Sequence, residues 1–236
     1  MELFLSAIAG AGTVVGATAV ILLGRPDHRT LAAVLGAAAG VMGGVVAADL
    51  LPAALTNAGP PVVLFSLLAG IAAVAWGDMR LRSIFRCGRD PLLKTGLLVG
   101  MGIALHDLPE GLAIAASFAA VPQLGLLMVV AIGLHNIPEG MATAAPLLAA
   151  GVKKRMVLAA CTALSLVTPV GTAAGLGLAR TSPLWIAALS AAAAGAMLYI
   201  VVAELVPRAV SHHCGAAIGG ILTGMALVYL LVHLLP

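Results

Sequence analysis

The chain has little charge and few rings: Asp, Glu, Lys and Arg together make up 9% of its 236 residues, and Phe, Trp and Tyr only 3%. With 62% of its side chains hydrophobic, it has too few polar groups to cover a water-soluble globule, so the bilayer must be its main solvent. The shortage of aromatics beside 28 glycines suits helices that meet through small side chains. Cysteine is scarce as well. Cys87, Cys161 and Cys214 are odd in number and lack CxxC spacing, which argues against a disulfide framework. The N-terminus has no basic n-region. It carries Glu2 before an apolar run longer than a signal-peptide core and reads as a retained first span. The net charge of +3 comes from basic residues in short connections, which are topology signals; no nucleic-acid partner is implied.

The apolar runs themselves predict an all-α membrane protein. A crossing needs roughly 20 apolar residues, and runs at 3 to 23, 31 to 55, 60 to 78, 92 to 120, 123 to 149, 156 to 178, 183 to 207 and 215 to 235 give eight spans in a single transmembrane domain covering 1 to 236. Every Lys and Arg except Arg180 then falls in the odd-numbered connections, from Arg25 and Arg29 to Arg208. By the positive-inside rule those connections are cytoplasmic and both termini face out.

Two repeats organise the chain. AAAGVMGGVVAADLLPAA at 37 to 54 matches AAAAGAMLYIVVAELVPRA at 191 to 209, which aligns Asp49 with Glu204. The two copies cross in opposite directions, the inverted arrangement that secondary transporters use for alternating access. Asp49 and Glu204 read as inlet and outlet carboxylates or, more blandly, as hydrated acids at helix ends. The second repeat sets HDLPEGLAIAASF at 106 to 118 against HNIPEGMATAAPL at 135 to 147, in adjacent spans.

The shared H-x-x-P-E-G core carries the chemistry. Residues four apart share a helix face, so His106 with Glu110 and His135 with Glu139 each aim an imidazole and a carboxylate in one direction. Two such faces turned together form a four-ligand cage of nitrogen and oxygen. That donor set suits Zn²⁺, and also Fe²⁺, Mn²⁺, Co²⁺ or Cd²⁺, better than Mg²⁺ or Ca²⁺. Pro109 and Pro138 deprive the carbonyls of Leu105 and Leu134 of their helical donors, as at a broken-helix ion site. Both motifs fall near the middle of their spans, where each charge costs about 3 kcal/mol unless a ligand or proton offsets it. Asp27, Asp78 and Asp90 read as solvated surface charges.

Eight spans with HDLPEG in the fourth and HNIPEG in the fifth resemble the ZIP (Zrt/Irt-like) metal transporters over the whole chain. The resemblance implies a three-two-three helix arrangement in which spans 1 to 3 are related to spans 6 to 8. It implies ligands at His106, Asp107, Glu110, His135, Asn136 and Glu139, and transport of Zn²⁺ or a related ion toward the cytoplasm as substrate, with no further cofactor. It is compatible with a homodimer in a bacterial inner or plasma membrane. Two departures stand out: Asp107 where the family usually has Asn, and Thr168 where many members place a metal-binding Glu before the proline, here Pro169. An intramembrane metalloenzyme is the main rival, but HExxH is absent. A metal sensor without transport is the other.

Overall fold

A segment in lipid must satisfy every backbone N–H internally, and the simplest way for one segment to do so is to become a helix. The computed structural model describes residues 1–84, 90–120, 122–177 and 183–234, and all regular structure among them is helical. Helix α1 runs Glu2–Leu23. Helix α2 runs His28–Val45 and continues through a π turn, Val46–Leu50, into Leu51–Asn57. Helices α3 (Pro60–Ile84), α4 (Pro91–Ala120) and α5 (Pro122–Ala149) follow, and α6 comes in two pieces, Lys154–Ser165 and Val167–Gly177. Helix α7 runs Pro183–Ile200 into a second π turn, Val201–Leu205, from which α8 continues as Val206–Leu234. Arg86, Arg89, Cys87, Arg180 and Pro236, which bear on the charge and disulfide expectations, lie outside the described residues.

Among the described residues, seven helical stretches are long and apolar enough to cross a membrane. One of them, Leu184–His233, has 50 residues, far beyond the roughly 20 that a crossing needs. It is also interrupted: His213 has extended backbone, with φ −165° and ψ 102°. Helix α3 outlasts its expected end at residue 78, because Asp78 and Arg82 pair one turn apart and carry the helix on to Ile84.

The interruptions are not where prolines alone suggest. Helices α4 and α5 run unbroken through Pro109 and Pro138, which corrects the broken-helix expectation. The irregular turns instead surround Asp49 and Glu204, 155 residues apart in both first and last residue. Pro52 and Pro207 follow them at the same spacing. Each proline lacks an N–H and crowds the carbonyl four residues back, of Ala48 or Ala203, and widening the turn by one residue relieves that clash.

Packing repeats the same pairing. Helix α1 packs mainly on α5, and the second piece of α6 mainly on α4; α2 lies along α8, and α3 along α7. Exchanging the first three helices with the last three, and α4 with α5, maps each pair onto another. The glycines of the two motifs allow this closeness: a methyl on Gly140 would run into the carbonyl of Thr13, and one on Gly111 into that of Thr168. The main apolar core lies where α2, α3, α4 and α7 meet, around Leu35, Met42, Val74, Leu98, Met197 and Ile200.

One end of the bundle collects the basic connections. A cleft there is lined by Arg25 and Asp27 before α2, His28 at its start, Leu92 at the start of α4, Ala149 at the end of α5, and His212. Asp27 caps α2, its Oδ1 accepting from the Thr30 N–H at 2.7 Å, and the bonding to Thr30 holds its carboxyl below the usual carboxylate range. His28 and His212 stack beside it with their Nδ1 atoms 2.8 Å apart.

Candidate metal centre

Helices α4 and α5 lie side by side at the middle of the bundle, each presenting its histidine and glutamate to the other. The four side chains pair across the interface: His106 Nε2 is 3.0 Å from Glu139 Oε2, and His135 Nε2 is 3.0 Å from Glu110 Oε1. His106, Glu139 and Glu110 are at most 4% exposed and His135 is 6% exposed. The i, i+4 spacing thus sets the direction of each pair, while the contact partner comes from the other helix.

His106 is fixed from both sides. Its Nδ1 donates to the Gly102 carbonyl at 3.0 Å, since that oxygen can only accept. That tautomer turns the Nε2 lone pair toward Glu139 and the centre, the orientation in which an imidazole ligates a metal. Asp107 Oδ1 stands 3.5 Å from the same nitrogen. Ligand atoms of His106, Asp107 and Glu110 lie within 4.8 Å of one another, close enough to share one cation.

The centre is rich in acceptors that nothing satisfies. Both oxygens of Asp107, Oε2 of Glu110, Oε1 of Glu139 and Oδ1 of Asn136 are buried without a hydrogen-bond donor among the described residues. Buried carboxylate oxygens are normally paired, and leaving several unpaired in one place is costly. A cation answers that arrangement, because it supplies positive charge to many oxygens at once. Asn136 shows the orientation: its Nδ2 donates to the Ala9 carbonyl at 3.2 Å, which turns Oδ1 inward. Asp107 has no N–H to spend in this way and keeps both oxygens free.

Thr168 is fully buried on α6, its hydroxyl unpartnered and its backbone against Gly111, next to Glu110. Thr13 occupies the matching place on α1, against Gly140, and its hydroxyl is also buried and unpartnered. Sequence reasoning missed Thr13, although the 155-residue offset that aligns Asp49 with Glu204 also aligns Thr13 with Thr168.

The two terminal acids differ. Asp49 is exposed and lines a cavity of about 360 Å³ with Ser117, Met128, Ile132, His135 and Val228, so the cavity reaches the centre. Glu204 is 2% exposed at the opposite end. It is held by Lys94 at 3.0 Å, by the Thr95 hydroxyl at 2.6 Å and by Arg208 at 3.3 Å. Asp78 is likewise buried and bound to Arg82, Lys94 and Tyr199, contrary to its reading as a solvated charge. The spacing of Asp78 with Arg82 and of Glu204 with Arg208 was visible in sequence, but nothing there pointed to Lys94. Cys161 and Cys214 are free thiols.

The chain is similar to known proteins over most of its length. Residues 88–232 match the family model described as ZIP Zinc transporter. The Zinc transporter ZupT of Escherichia fergusonii is 35% identical over 223 residues, 89% of this chain and 86% of the relative. The protein of the same description from Escherichia coli (strain K12 / DH10B) is 36% identical over the same shares of both chains. That from Salmonella heidelberg (strain SL476) is 34% identical over the same shares.

Proposed function

The chain belongs to the ZIP family of zinc transporters, a family of transport proteins and not of enzymes, and we propose that it carries divalent transition-metal ions, Zn²⁺ first among them, across the membrane toward the cytoplasm. The observation that carries the reading is the buried group of donor-starved carboxylate and amide oxygens around two imidazoles on α4 and α5. Such a group is unfavourable when empty and fits a soft-to-borderline dication.

His106, Glu110, His135 and Glu139 act as the principal ligands of the transported ion. Asp107, Asn136 and the free oxygens of the two glutamates form a second position, to which Thr168 offers a neutral hydroxyl. Because imidazole and carboxyl groups ligate a metal only in their deprotonated forms, uptake weakens as pH falls. Asp49 serves as the inlet carboxylate and Glu204 as the outlet.

The protein is an integral membrane protein, and the finer architecture is part of the proposal. Eight crossings are supported by the excess length of Leu184–His233, its interruption at His213, and the separate packing of α7 on α3 and α8 on α2. The matched π turns and helix pairs support an inverted repeat in a three-two-three arrangement. The basic connections gathered at one end support a cytoplasmic placement of that end and outward termini. Purified protein in zinc-free proteoliposomes should take up radioactive ⁶⁵Zn²⁺ faster than empty vesicles, with excess Cd²⁺ competing. Binding of Zn²⁺ without uptake would leave a sensor and end the transport reading.

A further inference from the structure

The inner end of the bundle holds a cation of its own. Lys94 enters from the first turn of α4, and its ammonium bridges Asp78 Oδ1 on α3 at 2.9 Å and Glu204 Oε2 in the π turn after α7 at 3.0 Å. Its side chain is 11% exposed and the two carboxylates 2% and 3%. The remaining oxygens are occupied too, Asp78 Oδ2 by the Tyr199 hydroxyl at 2.9 Å and by Arg82, Glu204 Oε1 by the Thr95 hydroxyl. One side chain thus ties α3, α4 and the π turn after α7 together.

The neighbourhood places this lock in series with the metal centre. Lys94 and His106 share α4, about 18 Å apart at the helical rise. Between them Ile200, fully buried one turn before Glu204, packs on Gly102, whose carbonyl holds the His106 ring. The related end has no such plug. Asp49 has no ion pair among the described residues, and its cavity reaches His135. The fold's own repeat therefore does not demand the lysine, and the difference between the ends lies in the route to solvent.

We propose that Lys94 is a tethered cation that closes the inner exit, its ammonium occupying the Asp78 and Glu204 carboxylates until the helices part and a departing dication can take its place. The inference rests on the transport reading and deepens it. Two cations repel too strongly to share one carboxylate pair at 3 Å spacing, so the exit is shut while the ammonium stays; once it leaves, Asp78 Oδ1 and Glu204 Oε2 are freed for a dication, with Arg82 and Arg208 still holding the other oxygen of each acid.

The test uses full-length protein with Cys87, Cys161 and Cys214 replaced by Ser and Ile200→Cys as reporter, in vesicles that expose the basic connections. A membrane-impermeant maleimide is added without metal, and the rate of labelling is read. Lys94→Met should raise that rate at least tenfold. Lys94→Arg, which keeps a cation in place, should stay within about twofold of the parent. Asp78→Asn with Lys94→Met removes one buried charge of each sign and carries the test if the single variant fails to insert; it should label as fast as Lys94→Met. Equal rates with and without the lysine, or fast labelling in Lys94→Arg as well, would overturn the proposal. Because no metal is present, the outcome is separable from the transport reading: lysine-dependent labelling in a protein without ⁶⁵Zn²⁺ uptake would refute transport alone, and uptake with lysine-independent labelling would refute the gate alone.

Discussion

Asp49 and Glu204 occupy the same place in two copies of one pattern, each inside a π turn and three residues before a proline. Their surroundings are nonetheless opposite. Asp49 is exposed in a cavity that reaches His135, whereas Glu204 is buried among Lys94, Thr95 and Arg208. The backbone device is shared and the neighbours are not. Whereas Pro109 and Pro138 sit in unbroken helix, the π turn comes with the repeated acid-x-x-Pro segment in both copies. Whether the acid it presents meets water or an ammonium is decided by the helix packed alongside. Helix α4 brings Lys94 to Glu204, while α8 brings only apolar Val228 and its neighbours to the Asp49 cavity.

That contrast can be broken first at what both ends depend on. If the open and closed ends serve one centre, removing a ligand should abolish flux whichever end is open. Ala at His106, Glu110, His135 or Glu139 should lower ⁶⁵Zn²⁺ uptake at least a hundredfold with insertion intact, as judged by membrane yield and size-exclusion profile. Parent-like uptake by inserted Glu139→Ala would show that the cage lies off the route.

The ends themselves should respond differently. Glu204→Ala strips Lys94 of one of two buried partners, and breaking a buried pair of this kind costs about 3 kcal/mol. Thermal unfolding in detergent should show a clearly lowered Tm. Asp49→Ala removes an exposed acid and should change stability by no more than about 0.5 kcal/mol, yet slow uptake several-fold by weakening attraction into the cavity. Similar Tm losses in both variants would erase the distinction between a paired and an open acid.

The subtlest difference lies inside the centre, where Asp107 and Asn136 are repeat partners with unlike chemistry. Asn136 anchors on Ala9 through its N–H and offers one oxygen, whereas Asp107 offers two and a charge. With Thr168 supplying only a hydroxyl, the proposed second position rests on Asp107. Asp107→Asn should reduce bound Cd²⁺ from two ions toward one per chain at saturation, measured by calorimetry or anomalous scattering, and adding Thr168→Glu should restore the second. Equal stoichiometry in parent and both variants would mean that the aspartate does not compensate for the missing glutamate.

Sequence alone determined the parts of this protein that depend on solvent and on short-range spacing. Low charge and long apolar runs required helices in lipid, because no other structure satisfies a lone backbone segment there. The H-x-x-P-E-G pairs gave imidazole and carboxylate on one face, because four residues make about one turn, and the matched acids at 49 and 204 marked two equivalent turns. Tertiary structure decided everything that depends on which helix stands opposite. A spacing of four says that His106 and Glu110 look the same way, but only the packing of α4 on α5 gives His106 to Glu139 and His135 to Glu110. Asp78 looked like a surface charge because its burial comes from Lys94 and Tyr199, which are distant in sequence. Lys94 itself carried no signal, since a lysine near a helix start is ordinary until two carboxylates from other helices close around it. The physical reason is range: periodicity and proline act within a turn or two of their own chain, whereas an ion pair in low dielectric is made by atoms that only the folded bundle brings together.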